Sequence, residues 1–440
     1  MRVFLFISKA GDSLPIAQRV MEEGHRVIFH INEKDKRRVG EGLIEKSPVK
    51  EVLISKEGEL NKGILKYILY PKPGCIVFDM VGKGYGKAAD LLRKKGFPVI
   101  GGSYWGDQVE LDRPYGNKIM KMAGINTPKT YTFNDYPTAI KFVESTNLPY
   151  VYKPSGNQPT TTTYIAQKAD DLVGILEYYS DIKEEFELQE KVEGIEISTE
   201  LWFNGSSVLS VNHTMEEKTL MEGGIGPKTG CMGDVVWIGT QDSKLYREGI
   251  GKMVSILNKV KYRGPIDLNT IVTKSKLYGL EFTARFGYNA LFSLLELYSG
   301  RLGDLLYGVA SGSTKSLNFK KGWSISVTFN LEPYPMDVEP DYSKDILVQG
   351  ISRQNLKHIW FYDVYKKGDS FACSGNGGNL GCVTARSLSG STGDENTVRE
   401  AKRRAYRTLS NLIIPDVMYR RDIGLRVPSE YGQLKEWGWL

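Results

Sequence analysis

Gly264-Pro265-Ile266-Asp267-Leu268-Asn269 and Gly279-Leu280-Glu281-Phe282-Thr283-Ala284-Arg285-Phe286 are the segments that decide the fold. Asp267 sits in an alternating, β-branched run with Ile266, Leu268, Ile271 and Val272, and Glu281 follows a second short apolar run. The polar Thr273-Lys274-Ser275-Lys276 between them is turn-like, so two antiparallel strands are expected. Two acids facing the same side of such a hairpin can hold a hard divalent cation. Mg²⁺ wants oxygen ligands and usually shares them with nucleotide phosphates. Arg285, four residues after Glu281, adds a permanent cation suited to charge on a transferring phosphoryl group. Alone, the same pattern also describes a surface hairpin with scattered charge.

Three further stretches precede it in a set order. Asp112-Arg113 opens a helix-like segment ending in Gly124-Ile125-Asn126-Thr127-Pro128. Lys153-Pro154-Ser155-Gly156 follows the apolar strand Tyr150-Val151-Tyr152. Glu190-Lys191-Val192-Glu193-Gly194-Ile195-Glu196-Ile197-Ser198 comes next. Together these stretches resemble the ATP-grasp fold. The resemblance implies ATP with Mg²⁺ or Mn²⁺ and assigns the residues as follows. Arg113 and Lys153 neutralise nucleotide phosphates. Glu190 and the backbone at Lys191 and Val192 read the adenine edge, and Glu196 accepts ribose hydroxyls. Asp267 and Glu281 ligate the metal, with Thr283 standing where members of the fold place an asparagine.

Two more stretches narrow the likeness. One is Glu217-Lys218 followed by Gly226-Pro227-Lys228-Thr229-Gly230-Cys231-Met232-Gly233. The other is Gly377-Gly378-Asn379-Leu380-Gly381-Cys382-Val383-Thr384, continued by Ala401, Tyr406 and Tyr419-Arg420-Arg421-Asp422-Ile423-Gly424. Both are similar to the phosphoribosylamine–glycine ligase family, over essentially the whole chain. By that resemblance Lys218 and Arg285 hold an acceptor carboxylate or its acyl phosphate. The loop carrying Gly226, Pro227, Thr229, Gly230, Met232 and Gly233 surrounds the intermediate with backbone amides, and Arg420 and Arg421 contact substrate. The bland reading of Arg420 and Arg421 is a pair of surface salt-bridge residues. The implied chemistry is ATP-dependent amide formation from a carboxylate, with glycine expected, and an amine.

Departures from the family fall on substrate parts. Thr160-Thr161-Thr162 replaces Gly-Lys-Gly in the lid, Thr283 replaces an asparagine, Glu217 a histidine, and Tyr288-Asn289-Ala290 an acidic stretch. Ala10-Gly11-Asp12-Ser13-Leu14 and Met80-Val81-Gly82-Lys83-Gly84 replace two loops that help the family bind phosphoribosylamine. The expectation is a ligase with a changed amine. The alternatives are a divergent phosphoribosylamine–glycine ligase of purine biosynthesis and a nucleotide-binding regulatory protein without turnover.

The expected class is α/β and α+β multidomain, since 440 residues exceed one ordinary core. Alternating strands and helices over 1–108 predict a doubly wound parallel sheet, a Rossmann-like domain with ligands at strand C-termini. There Gly82-Lys83-Gly84-Tyr85-Gly86-Lys87 is a candidate phosphate loop. The ATP-grasp domain is expected over 109–312, with a lid at 125–195 and a platform at 196–312, and a β-rich C-terminal domain over 313–440. Composition is 41% hydrophobic and 25% charged, as in soluble globular proteins. No apolar run approaches a membrane span, and the start lacks a signal-peptide pattern. The four cysteines lack metal-site spacing and are expected reduced in a cytoplasmic enzyme. A net charge of +6 fits anionic small-molecule substrates and, without a basic, aromatic-interleaved stripe, gives no reason to expect nucleic acid. A monomer or a homodimer is expected.

Overall fold

The computed structural model describes residues 1–49, 59, 74–154, 163–182, 185–335, 343–388 and 395–440. The first sheet is parallel, with strands β1 (Val3–Ser8), β2 (Arg26–Ile31), β3 (Glu45–Lys46), β4 (Cys75–Phe78) and β5 (Val99–Ile100) in the order β3-β2-β1-β4-β5. Strand β1 is apolar on both sides, as a covered parallel strand must be. Phe4 and Phe6 enter one core with Phe29, while Leu5 and Ile7 enter another with Tyr85, Ala88 and Leu92. Strand order reverses about β1, so the loops after β1 and β4 flank a crevice at the strand C-termini.

The second sheet is antiparallel and small: β6 (Thr130–Phe133), β7 (Tyr150–Pro154), β8 (Tyr164–Ile165) and β9 (Phe186–Glu190), ordered β6-β9-β7-β8. Tyr136, Tyr150, Tyr152, Phe186 and Leu188 form its own core with the helices Tyr136–Thr146 and Ala169–Tyr178. Ser155, Gly156 and the Thr160-Thr161-Thr162 substitution lie outside the described residues.

The third sheet is the platform. It uses β10 (Ile195–Asn204), β11 (Val208–Met221), β12 (Ile225–Ile238), β13 (Arg263–Val272), β14 (Leu277–Thr283) and β15 (Gly322–Asn330). After β15 come β16 (Leu347–Val348), β17 (Ile359–Phe361), β18 (Val364–Lys367), β19 (Ser370–Cys373) and β20 (Asn379–Leu388). The order is β14-β13-β10-β11-β12-β15-β20-β17, and β16, β19 and β18 make a separate three-stranded sheet. The sheet continues past residue 312: β15, β20 and β17 extend it, and Asp234 on β12 takes a hydrogen bond from Ser326 on β15 at 2.8 Å.

One correction concerns Gly226 to Gly233. They form the rising half of a long β11–β12 hairpin and not an irregular loop. The stretch pairs as a strand because glycine is tolerated where neighbours press close. A Cβ on Gly233 (φ +153°) would come within 2.6 Å of the Ser326 carbonyl. Gly226, Pro227 and Gly230 are exposed near the tip, while Met232 and Gly233 are buried.

Candidate active site

The hairpin expected from the sequence is present, and its register sets the site. Asp267 on β13 faces Thr283 on β14, and Asn269 faces Glu281. On the other side of β13, Glu200 on β10 faces Asp267, and Ser198 faces Asn269. Paired residues share a sheet face. Glu196, Glu200, Asp267, Asn269, Glu281 and Thr283 therefore point to one side.

Cations converge on Glu281. Arg113 Nη1 lies 3.7 Å from Glu281 Oε2, and Lys218 Nζ lies 4.0 Å from Oε1. Burial alone would raise the Glu281 pKa, but Lys218, Lys153 and Arg113 outweigh it and hold the carboxyl below its ordinary value. Arg113 is placed at the first turn of the helix Arg113–Met122, whose N-cap Asp112 accepts Tyr115 N at 2.9 Å. Lys153 is buried on β7 opposite Glu187. Lys218 Nζ also meets Glu196 Oε1 at 3.2 Å and Glu216 Oε2 at 3.3 Å. Burial would lower its pKa, yet these carboxylates hold the ammonium well above the usual lysine range. Glu196 Oε1 accepts Asn269 Nδ2 at 3.0 Å as well. Burial raises its pKa, and Lys218 and Asn269 together bring it down to about 2.

Two cavities meet at this cluster and share Arg113, Lys153, Gln189, Leu280 and Glu281. The first, of about 450 Å³, lies between the second sheet and the platform. Val151, Ile165, Ile271 and Leu280 give it apolar walls, Glu190 to Gly194 form one edge, and Glu196 and Lys218 stand at another. A flat heterocycle between such walls, with phosphates toward Arg113 and Lys153, matches its shape and charge. Glu190, Lys191, Val192 and Glu196 thus lie together as expected, with Lys191 Nζ bonded to Gln167 Oε1 at 3.0 Å.

The second cavity, of about 740 Å³, lies between the platform and the crevice of the parallel sheet. Arg285 and Thr283 line it. Glu110 holds Arg285, accepting Nε at 2.9 Å on one oxygen and Ala284 N at 2.7 Å on the other. Lys218 lines the first cavity and Arg285 the second, so the structure does not bring these two expected partners onto one wall.

The fit for a divalent cation rests on Asp267. Its Oδ1 is buried without a hydrogen-bond partner, and burial with the neighbouring Glu216 and Glu200 carboxylates pushes its pKa well above the ordinary value. A dication would relieve that crowding. Among the described residues no three His, Cys, Asp or Glu side chains assemble a metal set by themselves. That suits Mg²⁺, which takes one or two carboxylates and completes its shell from phosphates and water.

Arg420 is buried and committed within the protein: Nε and Nη2 bond the two Asp422 oxygens at 2.7 Å each, and Nη1 donates to the Thr219 carbonyl at 2.8 Å. Arg421 is exposed, and its backbone N donates to Glu222 Oε1 at 3.0 Å. Thr229 Oγ1 donates to the Lys218 carbonyl at 2.9 Å, bracing the hairpin. Glu217, in place of the family's histidine, turns away from Lys218 and takes Arg426 Nε at 2.8 Å. Two amides of the Gly82–Lys87 turn are taken within the protein: Asp107 accepts Gly86 N at 2.7 Å and Gly82 N at 3.3 Å.

Sequence reading missed Glu110, Glu187, Gln189, Glu216 and Asn269. Asn269 was findable, two residues beyond Asp267 on a strand. Glu187 and Gln189 alternate with Phe186 and Leu188, which marks a strand with one polar face. Glu110 carries no local signal, because its partners lie far along the chain.

Residues 112–289 match the phosphoribosylglycinamide synthetase ATP-grasp (A) domain. The chain is 27% identical over 355 residues to the phosphoribosylamine–glycine ligase of Leptospira interrogans serovar copenhageni, covering 77% of this chain and 80% of that one. It is 26% identical over 353 residues to that of Caldanaerobacter subterraneus, covering 76% and 80%. Among solved structures, phosphoribosylamine–glycine ligase from Thermotoga maritima superposes with a TM-score of 0.70 at 20% identity, over 96% of this chain and 100% of the other. N5-carboxyaminoimidazole ribonucleotide synthetase from the same organism gives 0.60 at 14%, over 94% and 99%. These last two likenesses are of fold. The chain is an ATP-grasp enzyme of the C–N ligase kind, and it resembles the phosphoribosylamine–glycine ligases.

Proposed function

We propose that the chain joins a carboxylate, with glycine expected, to an amine other than phosphoribosylamine, consuming ATP and releasing ADP. The observation that carries this reading is the junction of two cavities at Glu281, with Arg113, Lys153 and Lys218 around it. Lys153 and Arg113 neutralise phosphate charge, while the Glu190–Gly194 edge and Glu196 hold the nucleoside. Mg²⁺ or Mn²⁺, held by Asp267 and Glu281, would offset charge on the transferring phosphoryl group. Arg285, fixed by Glu110, holds the acceptor carboxylate in the second cavity. The carboxylate is activated as an acyl phosphate, the amine displaces phosphate, and closure of the site keeps water from the intermediate. Arg420 and Arg421 are left out of this reading.

The reading as a divergent phosphoribosylamine–glycine ligase is favoured by a specific observation, the 27% identity that spans 80% of such an enzyme. One experiment separates the two. Purified protein is incubated with Mg²⁺-ATP and glycine, with and without phosphoribosylamine generated in place, and ADP and product mass are measured. Glycinamide ribonucleotide establishes the second reading. ADP formation with glycine and another amine, without that product, establishes the first. No ADP with glycine and any amine defeats both.

A further inference from the structure

We propose that Lys228 is a further nucleotide-binding residue, whose ammonium takes an anionic phosphate oxygen at the exposed edge of the first cavity. This rests on the reading of that cavity as the nucleotide site and adds a contact to it.

Lys228 lies in the returning strand of the β11–β12 hairpin, opposite Thr219 on β11. Its Nζ donates to Thr219 Oγ1 at 3.2 Å, and Thr219 is itself buried. The next residue, Thr229, donates through Oγ1 to the Lys218 carbonyl at 2.9 Å. These two bonds tie the arms of the hairpin together, and Lys228 lines the first cavity beside Glu196, Lys218 and Asn269. Its charge is felt there: burial would raise the Glu196 pKa, and Lys218, Asn269 and Lys228 all pull it down.

The cations of this cavity differ in what already holds them. Lys218 Nζ is shared among Glu196 at 3.2 Å, Glu216 at 3.3 Å and Glu281 at 4.0 Å. Arg113 Nη1 stands 3.7 Å from Glu281. Lys191, on the Glu190–Gly194 edge, is bonded to Gln167. Lys228 is held by a neutral hydroxyl, and among the described residues its ammonium forms no ion pair. An ammonium has three N–H donors, so this one keeps its charge and further donors for a ligand.

That charge has work on this wall. Glu190, Glu193, Glu196 and Glu281 line the same cavity, and a nucleotide's phosphate chain must settle among them. Arg113 and Lys153 offset this repulsion on one side. On the hairpin side Lys218 is already neutralised by its own acids, so Lys228 supplies the positive charge still unspent there. A lysine is suited to the task as a point charge on a flexible stem, which can follow a phosphate oxygen without a fixed fork.

The test uses the full chain, with Mg²⁺-ATP and adenosine each titrated calorimetrically into the parent, Lys228→Met, Lys228→Arg and Lys153→Met. Lys228 is exposed and held by one neutral bond, so Lys228→Met should keep the parent's urea midpoint. It should bind ATP about tenfold more weakly, as for the loss of one charge-assisted hydrogen bond, with adenosine unchanged. Lys228→Arg, which keeps the charge, should recover most of that loss. ATP affinity in Lys228→Met equal to the parent's overturns the inference, and a loss in Lys153→Met alongside it keeps the nucleotide reading. An equal loss for adenosine also overturns the inference, because the contact would then be to the nucleoside. No ATP binding by the parent defeats the nucleotide reading and the inference with it.

Discussion

Glu110 and Arg285 form an ion pair at 2.9 Å on the wall of the second cavity, although 175 residues separate them in the chain. Glu110 also fixes Ala284 N, so one carboxylate sets both the guanidinium and the end of the strand that carries Glu281. Hydrogen bonds to charged groups contribute about 1.5–3 kcal/mol, so Glu110→Ala should lower kcat/KM roughly 10–100-fold. The KM for Mg²⁺-ATP should move little, because Glu110 lines the acceptor cavity. Steady-state kinetics with each substrate varied in turn would check this. A loss confined to thermal stability would make Glu110 merely structural.

Glu281 sits among Arg113, Lys153 and Lys218, whereas Asp267 sits among other carboxylates. Both Glu281→Gln and Asp267→Asn should reduce kcat by about 10²–10³-fold, the usual loss when one group stabilising transferring charge is removed. The two should part in Mg²⁺ dependence: Asp267→Asn relieves crowding among acids, so the protein should stay folded while its Mg²⁺ requirement rises. Full activity in either variant at low Mg²⁺ would remove that residue from the metal site.

Why these residues were legible and others were not follows from where their partners lie. Asp267, Glu281 and Arg285 were readable because strand alternation is local and an acid on an apolar strand stands out. The parallel sheet at the N-terminus was readable for the same reason, through Phe4 to Ile7 and Cys75 to Phe78. The Arg420–Asp422 pair was not read as internal, since two adjacent charges near the chain end look solvated until Thr219 is known to lie against them. The Gly226–Gly233 stretch suggested a loop because glycine is a poor strand former, and only pairing with β11 and β15 makes it a strand. The Gly82–Lys87 turn looked like a phosphate loop because Asp107, which takes two of its amides, lies on another helix.

Arg420 should therefore matter for folding and not for substrate. Its side chain is 3% exposed and its bonds to Asp422 are bidentate. Removing one partner of a buried pair costs about 3–5 kcal/mol, so Arg420→Ala should lower the urea midpoint strongly. Arg420→Lys should recover only part of it, because a lysine lacks the planar fork. Activity per folded molecule and KM values should stay near those of the parent. A large rise in the glycine KM at an unchanged urea midpoint would restore Arg420 to the substrate site.

Asp234 offers a test in pH. It is fully buried, accepts Ser293 Oγ at 2.6 Å and Ser326 Oγ at 2.8 Å, and burial pushes its pKa up to about 7 against the pull of those serines. A folded-state pKa raised above the ordinary 3.8 means that the native state holds the extra proton between those values. The stability it contributes is present below the unfolded pKa and is lost as pH rises through about 7. The slope from one such group is at most about 1.4 kcal/mol per pH unit. Asp234→Asn cannot titrate, so its stability relative to the parent should improve from pH 5 to about 7 and level off above it. Urea denaturation at each pH measures this directly, and parallel curves for the two proteins would mean that Asp234 stays ionised in its serine cage.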